Sequence, residues 1–497
     1  MKKFYLTTPI YYVNAMPHVG HAYTTTVADV LARYHRLKGE TVFFLTGTDE
    51  NSQNNLKAAE KHGYKDLNLY LDDMAAKWRQ TFGDLDITFD RFIRTTEADH
   101  KKGVEKFWRR VAATGDIYAG EYEGWYCDGC EGFKTEADLV EGKCPLHKTA
   151  PRRLKEKNYF FKLTKYRQAL LDHIDAHPEF IMPEGRRNEV RSYVASFMED
   201  VSISRQTVTV GIPVPDDPSS VIYVWFDALI NYLTGIGYGT DDAKFAEFWP
   251  ADLHLVGKDI IKFHCALWPA MLMSAGLPLP TQVFAHGFLL TGGDKMSKSL
   301  GNVVDPAELA KKYGNDPLRY FMLREVPFGS DGDFSVERIE ERYGGDLANE
   351  FGNLLHRVLA MTEKYFDGKV PAAVDGQVPE WAAYEKGMAT LDFAMVLDAV
   401  WTILREANKL IDTEKPWELA KTDRARLAGL LYSLLERLRQ VGWMLLPILP
   451  TSAKKLFVQL GLPDEDKRPY DQAKVWGGLK EGGILKKGEP LFPRLTP

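Results

Sequence analysis

Apolar and polar positions along the chain fall into stretches of different period. Residues 4–10 (Phe-Tyr-Leu-Thr-Thr-Pro-Ile) read as a short buried strand. A loop containing Pro17 follows, and then Tyr23, Val27, Val30, Leu31 and Tyr34 repeat at helical spacing until Gly39 closes the helix. Thr41-Val-Phe-Phe-Leu45 predicts a second strand. This β–loop–α–β unit is the usual opening of a doubly wound parallel sheet. The pattern resumes much later. Val221–Phe226, Leu253–Val256 and Thr281–Phe284 are apolar strand candidates, and a helix-like segment from Ile260 to Ala275 ends at Gly276. One nucleotide-binding fold is therefore split by an insertion of roughly a hundred residues, longer than an ordinary connecting loop.

The last third changes character. Leu347, Phe351, Leu354, Leu355, Val358 and Leu359 keep helical period, as do Leu427, Leu430, Leu431, Leu434, Leu435, Leu438 and Val441, which predicts a helix bundle. The Gly- and Pro-rich stretch 461–497 reads as a tail wrapped on that bundle. The expected fold is α/β: a doubly wound, Rossmann-like parallel sheet split by an insertion and followed by an α-helical bundle. The expected boundaries are 1–116 and 216–285 for the two halves of the catalytic fold, 117–215 for the insertion, 286–345 for a linking domain and 346–497 for the bundle with its tail.

Composition narrows the function. A chain of 497 residues is too long for one ordinary core and implies several domains. Its 45% hydrophobic and 27% charged residues are globular values. No apolar run is long enough to span a bilayer, and no signal peptide precedes the first strand, so a cytoplasmic protein without a membrane partner is expected. The net charge of −6 argues against a protein that coats DNA or other nucleic acid with overall positive charge, while leaving room for RNA on a local basic face. Three of the four cysteines lie close together, which suits a metal site in a reducing compartment better than a disulfide framework.

Two motifs carry nucleotide chemistry. His18-Val-Gly-His21 stands after the first strand at the start of a helix. Helix-start N–H groups and the helix dipole favour phosphate there, Gly20 allows close approach, and two imidazoles can donate hydrogen bonds as charge builds on phosphate oxygens. Alone, two histidines three apart at a helix start are more often structural. Lys295-Met-Ser-Lys-Ser299, flanked by Gly292-Gly293 and Gly301, places Lys295, Lys298 and the Ser297 hydroxyl on a loop suited to closing over a triphosphate; the bland alternative is a solvated polar loop.

Cys127-x-x-Cys130, thirteen residues, then Cys144-x-x-His147 supplies four ligands in two close pairs, the pattern of a closed, structural, tetrahedral Zn²⁺ knuckle over 126–148. A redox-active Cys127–Cys130 pair is the alternative, but the pair does not stand at a helix start after a strand. Cys265 is left over in an apolar helix and is expected to be buried. In the bundle, Asn353 and Arg357 lie about 130° from the centre of the apolar arc, so both are expected to be exposed.

His18-Val-Gly-His21 and Lys295-Met-Ser-Lys-Ser299 together resemble the signatures of class I aminoacyl-tRNA synthetases. Pro9-Ile-Tyr-Tyr-Val-Asn-Ala-Met-Pro-His-Val-Gly-His21, Phe44-Leu-Thr-Gly-Thr-Asp-Glu50, Tyr223-Val-Trp-Phe-Asp-Ala228 and Gly257-Lys-Asp-Ile-Ile-Lys-Phe-His264 narrow the resemblance to the bacterial methionyl-tRNA synthetase family, over essentially the whole chain. The resemblance implies a ligase that activates L-methionine with ATP, magnesium bridging the phosphates, and then charges tRNA(Met). It implies that Asp49 holds the substrate ammonium and that Ile10, Tyr12, Trp225, Leu229, Tyr232 and His264 surround the methionine side chain. Core packing is the plain alternative for these, above all for Ile10 and Leu229. Lys258 and Asp259 match an element that contacts adenosine, and Arg205 matches an arginine near the active site. Leu229 stands where some relatives have proline, Val201 where some have tryptophan, and His147 where many have cysteine. In the bundle the resemblance assigns anticodon recognition to Asn353 and Arg357, with stacking on Trp417 of Lys415-Pro-Trp417. No second small β-domain follows the bundle, from which a monomer is expected.

Three rivals stand against this reading. Synthetases for aliphatic residues usually carry a larger editing insertion, and the cysteine enzyme would need metal ligands in its pocket. A non-catalytic tRNA-binding paralogue would be expected to have lost the histidines or the lysine loop. A nucleotidyltransferase for a small acid would not need the bundle.

Overall fold

The computed structural model describes residues 2–129, 132–134, 136–145, 148–295 and 303–495. A six-stranded sheet forms its centre, every neighbouring pair parallel, in the order Arg91–Arg94, Thr41–Asp49, Lys3–Tyr12, Leu253–Gly257, Val283–His286, Ile181–Met182. Parallel strands are covered on both faces, and Tyr5, Leu6, Thr7 and Thr8 are all fully buried. The two threonines meet the polar demand of that position through their hydroxyls. Thr8 Oγ1 donates to Thr46 Oγ1 at 2.7 Å, and Thr7 Oγ1 lies 2.7 Å from His254 Nδ1.

Helix Val19–Leu37 follows the first strand and is buried along nearly its whole length, because the sheet covers one side and the C-terminal bundle the other. Tyr34 packs edge-on against Tyr384 and Tyr470 of the bundle, and Gly39, at φ +76°, turns the chain into the second strand. Ile181–Met182, inside the segment 117–215, joins the main sheet as its edge strand. The rest of that segment holds an antiparallel sheet ordered Gly132–Lys134, Ile117–Cys127, Arg152–Phe161, Val201–Ser202. Its long hairpin pairs without a break from Ile117–Phe161 to Tyr126–Arg152 and carries Cys127 at the far end.

Two elements differ from expectation. The apolar run Val221–Phe226 is not one strand. Strand Asp217–Ile222 ends in a hairpin sheet with Pro213–Val214 and Ser204–Arg205, and a helix starts at Val224 with Tyr223 as its extended cap. A short, wholly buried apolar run carries no period that separates strand from helix. The segment Ile260–Ala275 is helical but broken, with 3₁₀ geometry at Lys258–Ile260, a π turn at Phe263–Leu267 and an α-helix from Trp268 to Ser274. Pro269 has no N–H to give to the carbonyl four residues back, so the ladder widens just before it.

The C-terminal third is helical, with long helices Asn353–Phe366, Phe393–Glu414 and Arg424–Leu445. The chain beyond 461 folds back over them: Val370 N donates to the Gly483 carbonyl and Tyr343 Oη to that of Pro493. A fully buried charge cluster fastens this wrap. Arg439 donates to Glu436 (Nη2–Oε1 2.6 Å), to Glu465 (Nη1–Oε1 2.7 Å) and to the Val475 carbonyl, while the Gly477, Gly478 and Leu479 N–H groups donate to Glu436.

Removing Glu436 from this cluster leaves Arg439 paired with Glu465 alone and takes the acceptor from three N–H groups, Gly477, Gly478 and Leu479. Glu436→Ala is expected to destabilise the bundle by about 3–5 kcal/mol. The check is a lower unfolding temperature together with faster proteolysis beyond Glu465; unchanged melting and cleavage would contradict it.

Candidate functional site

The site begins where two central strands part. Lys3–Tyr12 pairs with Leu253–Gly257 only at Leu6–Leu253 and Thr7–His254. Pro9 cannot donate to a ladder, and the register with Thr41–Asp49 shifts between Thr7 and Ile10. Beyond that shift, Ile10, Tyr11 and Tyr12 pair with Gly47, Thr48 and Asp49 alone. Strand order runs outward in both directions from this parting, so it is the switch point at which doubly wound sheets bind ligands.

The loop after the first strand is tied down from one side. Trp78 Nε1 donates to the Ala15 carbonyl at 3.0 Å and Tyr70 Oη to that of Val13 at 2.8 Å. Helix Val19–Leu37 then starts with a reciprocal cap made of two histidines: Gly20 N donates to His18 Nδ1, and His18 N to His21 Nδ1, both at 3.1 Å. Each Nδ1 is an acceptor, so each ring carries its proton on Nε2 as a donor. The rings lie 3.7 Å apart, and His21 is held edge-on to Tyr11 at 4.9 Å and against Trp78. A Cβ on Gly20 would stand 2.9 Å from His18 Cε1, so the spacing of the motif needs glycine there.

Aromatic groups line the parting on the side of Leu253–Gly257. Trp225 stacks on Phe263 with centroids 4.1 Å apart and planes at 2°. His264 Nδ1 lies 3.0 Å from the Ile260 carbonyl and must donate to it, so Nε2 accepts the Tyr232 hydroxyl at 2.7 Å. Burial pushes the His264 imidazole down to about 4 and holds it neutral. Tyr232 also faces His254 at 4.3 Å, whose own basicity is suppressed by burial and which accepts Trp268 Nε1. Leu229, Tyr232 and His264 are buried, whereas Ile10, Tyr12 and Trp225 are half-buried. Asp49 ends the second strand opposite Tyr12 and is buried.

A polar network braces this wall. Asn51 Nδ2 donates to Asp227 Oδ2 at 2.7 Å, Asp227 Oδ1 lies 2.7 Å from His100 Nε2, and His100 Nδ1 lies 2.8 Å from Thr234 Oγ1. It joins the end of the second strand to the helices bearing Trp225 and Tyr232. Sequence reasoning does not single out Phe263, His254, Asn51, Asp227 or His100. The strings around Trp225 and His264 contain two of them, Asp227 and Phe263, but only packing assigns the contacts.

Lys258 and Asp259 follow the strand Leu253–Gly257 directly. Lys258 Nζ lies 2.6 Å from Asp331 Oδ2 and over the Phe288 ring, while Asp259 is exposed. Arg205 is buried over the Tyr223 ring at 4.1 Å. Gly292 and Gly293, both at positive φ, form the two-residue turn between strands Leu289–Thr291 and Asp294–Lys295. Lys295 is thus the last described residue before the loop, and Ser297 and Lys298 lie outside the described residues. Val304, just past it, accepts from Val19 N at 3.0 Å at the start of the histidine-bearing helix.

Cys127 and Cys144 are buried thiol positions, and Cys144 sits in a tight turn in which Lys148 N donates to its carbonyl and its own N–H to that of Thr149. Cys130 and His147 lie outside the described residues. Two buried soft donors at a turned hairpin end fit a thiolate-rich metal set. In the bundle, Asn353 is exposed and opens an α-helix directly after a π-helical segment, Tyr343–Gly352. Arg357 is 35% exposed and lies 3.3 Å from Asp412. Lys415, in left-handed geometry, turns the chain just beyond Asp412 and leaves Trp417 44% exposed. The structure therefore gathers these residues at one end of the bundle.

Residues 4–153 and 134–359 match the family model described as tRNA synthetases class I (M), and residues 369–497 match the anticodon binding domain of methionyl tRNA ligase. The methionine–tRNA ligase of Thermotoga maritima is 47% identical over 99% of this chain and 80% of its own length. That of Bacillus subtilis is 46% identical over 99% and 78%. Among solved structures, Mycobacterium tuberculosis methionyl-tRNA synthetase in complex with methionyl-adenylate superposes with a TM-score of 0.94 at 43% identity, covering 99% of this chain and 100% of that one. The free-state structure of the same enzyme gives 0.87 at 41%, covering 100% and 99%.

The neutral His264 sets a pH signature. Its folded pKa of about 4 lies below the ordinary 6.5. Between those values the unfolded chain binds a proton that the folded chain refuses, so this contribution is complete above 6.5 and is lost as pH falls toward about 4. His264→Gln is expected to flatten the decline of unfolding temperature across that window. An unaltered slope would refute the assignment.

Proposed function

The chain belongs to the methionine–tRNA ligase family of class I synthetases, and on that premise we propose how its residues divide the work. The protein is an aminoacyl-tRNA synthetase: it activates methionine with ATP to methionyl-adenylate and transfers methionyl to tRNA. The observation that carries the reading is the parting of the strands Lys3–Tyr12 and Leu253–Gly257, which sets a helix start with two oriented imidazole donors beside an aromatic cleft.

Methionine lies in that cleft. Trp225, Phe263, Ile10 and Leu229 enclose the thioether, and Tyr12, Tyr232 and His264 close the inner end. A long unbranched side chain offers little but shape and polarisability, so aromatic faces discriminate best, at roughly 1–3 kcal/mol per methylene. Asp49 takes the ammonium. Holding His264 neutral keeps a second cation out of the pocket, where it would repel that ammonium.

The carboxylate of methionine attacks the α-phosphorus of ATP. A carboxylate oxygen–phosphorus bond forms, the bond to the bridging oxygen breaks, and pyrophosphate leaves in line. No protein nucleophile is needed, and the protein contributes position and charge. His18 and His21 present Nε2–H donors whose tautomer the backbone cap fixes, so neither must take up a proton to act. Lys295 and Lys298, with Ser297, neutralise the β- and γ-phosphates. Gly20 lets the nucleotide approach the helix start, and Lys258 and Asp259 lie toward adenosine. Magnesium, when bound with ATP, adds charge neutralisation between phosphate oxygens. The terminal adenosine of tRNA then takes the methionyl group and AMP leaves.

Zn²⁺ would be held by Cys127, Cys130, Cys144 and His147, a closed set whose chemistry is structural. The hairpin end that it shapes reaches the active site, since Asn54 Nδ2 lies 3.4 Å from the Gly129 carbonyl, next to the segment Asp49–Ser52. Asn353 and Arg357 read the anticodon, with an unpaired base stacked on Trp417. Among the described residues no helix is long and apolar enough to cross a membrane. Thiolate ligands of this kind suit a reducing compartment such as the cytoplasm.

ATP–pyrophosphate exchange with each of the twenty amino acids tests the function. Exchange stimulated by methionine alone is expected; stimulation by another amino acid would keep the class and overturn the pocket. For the metal, elemental analysis is expected to find one zinc per chain, lost together with thermal stability in Cys144→Ser. A zinc-free, fully stable wild-type protein would remove the knuckle from the account.

A further inference from the structure

Helix Val19–Leu37 begins at the two histidines and, about three turns on, carries a buried carboxylate. Asp29 is fully buried. It accepts from Arg319 Nη2 at 2.6 Å, Arg33 Nε at 2.7 Å, Thr88 N at 2.7 Å and Thr88 Oγ1 at 2.6 Å. Arg319, 2% exposed in helix Asn315–Glu325, also donates to the carbonyls of Ile448 (2.8 Å) and Pro447 (3.1 Å), just past helix Arg424–Leu445. That helix follows the short one bearing Trp417 directly. One guanidinium therefore joins the histidine helix to the anticodon-side bundle, its Nη2 donating to Asp29 and to the Pro447 carbonyl and its Nε to that of Ile448.

The junction also holds an unused donor and a poorly satisfied acceptor. Arg319 Nη1 is buried without a hydrogen-bond partner, and one helical turn away Asp316 Oδ1 makes no well-formed hydrogen bond, although Thr451 and Ser452 lie beside its carboxylate. Asp316 Oδ2 is held from the bundle side by Ser452 N at 2.5 Å. A buried donor without a partner and a poorly satisfied acceptor on one helix face cost free energy in the present arrangement, and turning Arg319 toward Asp316 would satisfy both.

We propose that Arg319 is a positioning residue that exchanges between Asp29 and Asp316, and so couples the seating of an anticodon on the bundle to the placement of His18 and His21. The inference rests on the synthetase reading above. If helix Arg424–Leu445 moves, the Pro447 and Ile448 carbonyls move with it. Arg319 must follow, and its partner carboxylate either follows or is exchanged, because a buried charge is not left unpaired. Adenylate formation without tRNA needs only the resting arrangement. The transfer step, with tRNA seated, uses the exchange, because His18 and His21 then steady the phosphate of the leaving AMP.

The test separates the two steps in the full chain. Arg319→Lys keeps the charge but loses the planar fork. Methionine-dependent pyrophosphate exchange without tRNA is expected to stay within about threefold of wild type, while kcat for aminoacylation falls about tenfold or more at nearly constant KM for tRNA. The kcat penalty that wild type shows for a tRNA with an altered anticodon is expected to shrink. Asp316→Asn, which removes the alternative partner's charge, is expected to move the same ratios the same way. Arg324→Ala serves as a control, because Arg324 joins the same helix to Asp398 of the bundle at 2.6 Å without reaching Asp29; both steps should be spared. A parallel fall of exchange and transfer in Arg319→Lys would reduce the pair to a structural role and overturn the proposal. So would an unchanged anticodon penalty in Asp316→Asn, which decides the matter alone if Arg319→Lys does not fold. Absence of methionine-dependent exchange in wild type would instead overturn the synthetase reading.

Discussion

Two neighbouring strands that stay paired for two residues and then part create the working space of this protein. Leu6–Leu253 and Thr7–His254 hold the sheet together, and Pro9 prevents the ladder from continuing. Had the pairing run on to Tyr12, the cleft would be filled by hydrogen-bonded backbone, and the first helix could not aim its N-terminus into it. The aromatic wall, the histidine cap and the buried Asp49 all stand at this opening. Each comes from a different strand end, so the geometry of the site is the geometry of the sheet.

The buried histidines around the opening are polar without being charged. His254, His264 and His286 are buried, and burial holds each imidazole below its usual basicity. Each ring has one nitrogen that donates and one that accepts. His286 Nδ1 donates to the Gly287 carbonyl and its Nε2 accepts Thr24 Oγ1, as His264 does with Ile260 and Tyr232. Such rings orient neighbours as well as a charged group would, and they avoid the desolvation that a buried cation entails.

Charge is instead buried where large pieces meet. Asp29–Arg319 stands between the catalytic fold and the bundle, and Glu436–Arg439–Glu465 between the bundle and its tail. A buried ion pair is weak evidence for stability, but it specifies one arrangement sharply, because any misfit strands a charge. At the first junction an unmatched donor and a poorly satisfied acceptor sit beside the pair, and that is where a second arrangement has something to gain. At the second, backbone N–H groups fill the remaining lone pairs of Glu436, and the joint is closed.

Much of this was legible in the residues themselves. Local period marks strand 4–10, the helix after it and the bundle helices, because burial on one face repeats at the spacing of the backbone. The two histidines, the lysine loop and the cysteine pairs are legible because their chemistry depends on short-range spacing. Period fails where burial is complete, as at Val221–Phe226, and where a proline widens the helix, as before Pro269. What no local pattern contains is which distant groups meet. The stacking of Phe263 on Trp225, the tautomer of His264, the brace of Asn51, Asp227 and His100, and the reach of Arg319 from Asp29 to Ile448 all join residues from different elements. The chain by itself determined which elements form and which chemistry they carry, since both depend on neighbours a few residues away. The tertiary structure alone decided which side chains share a cleft and which charges must pair, since those depend on where the strands part and how the helices pack across the sheet.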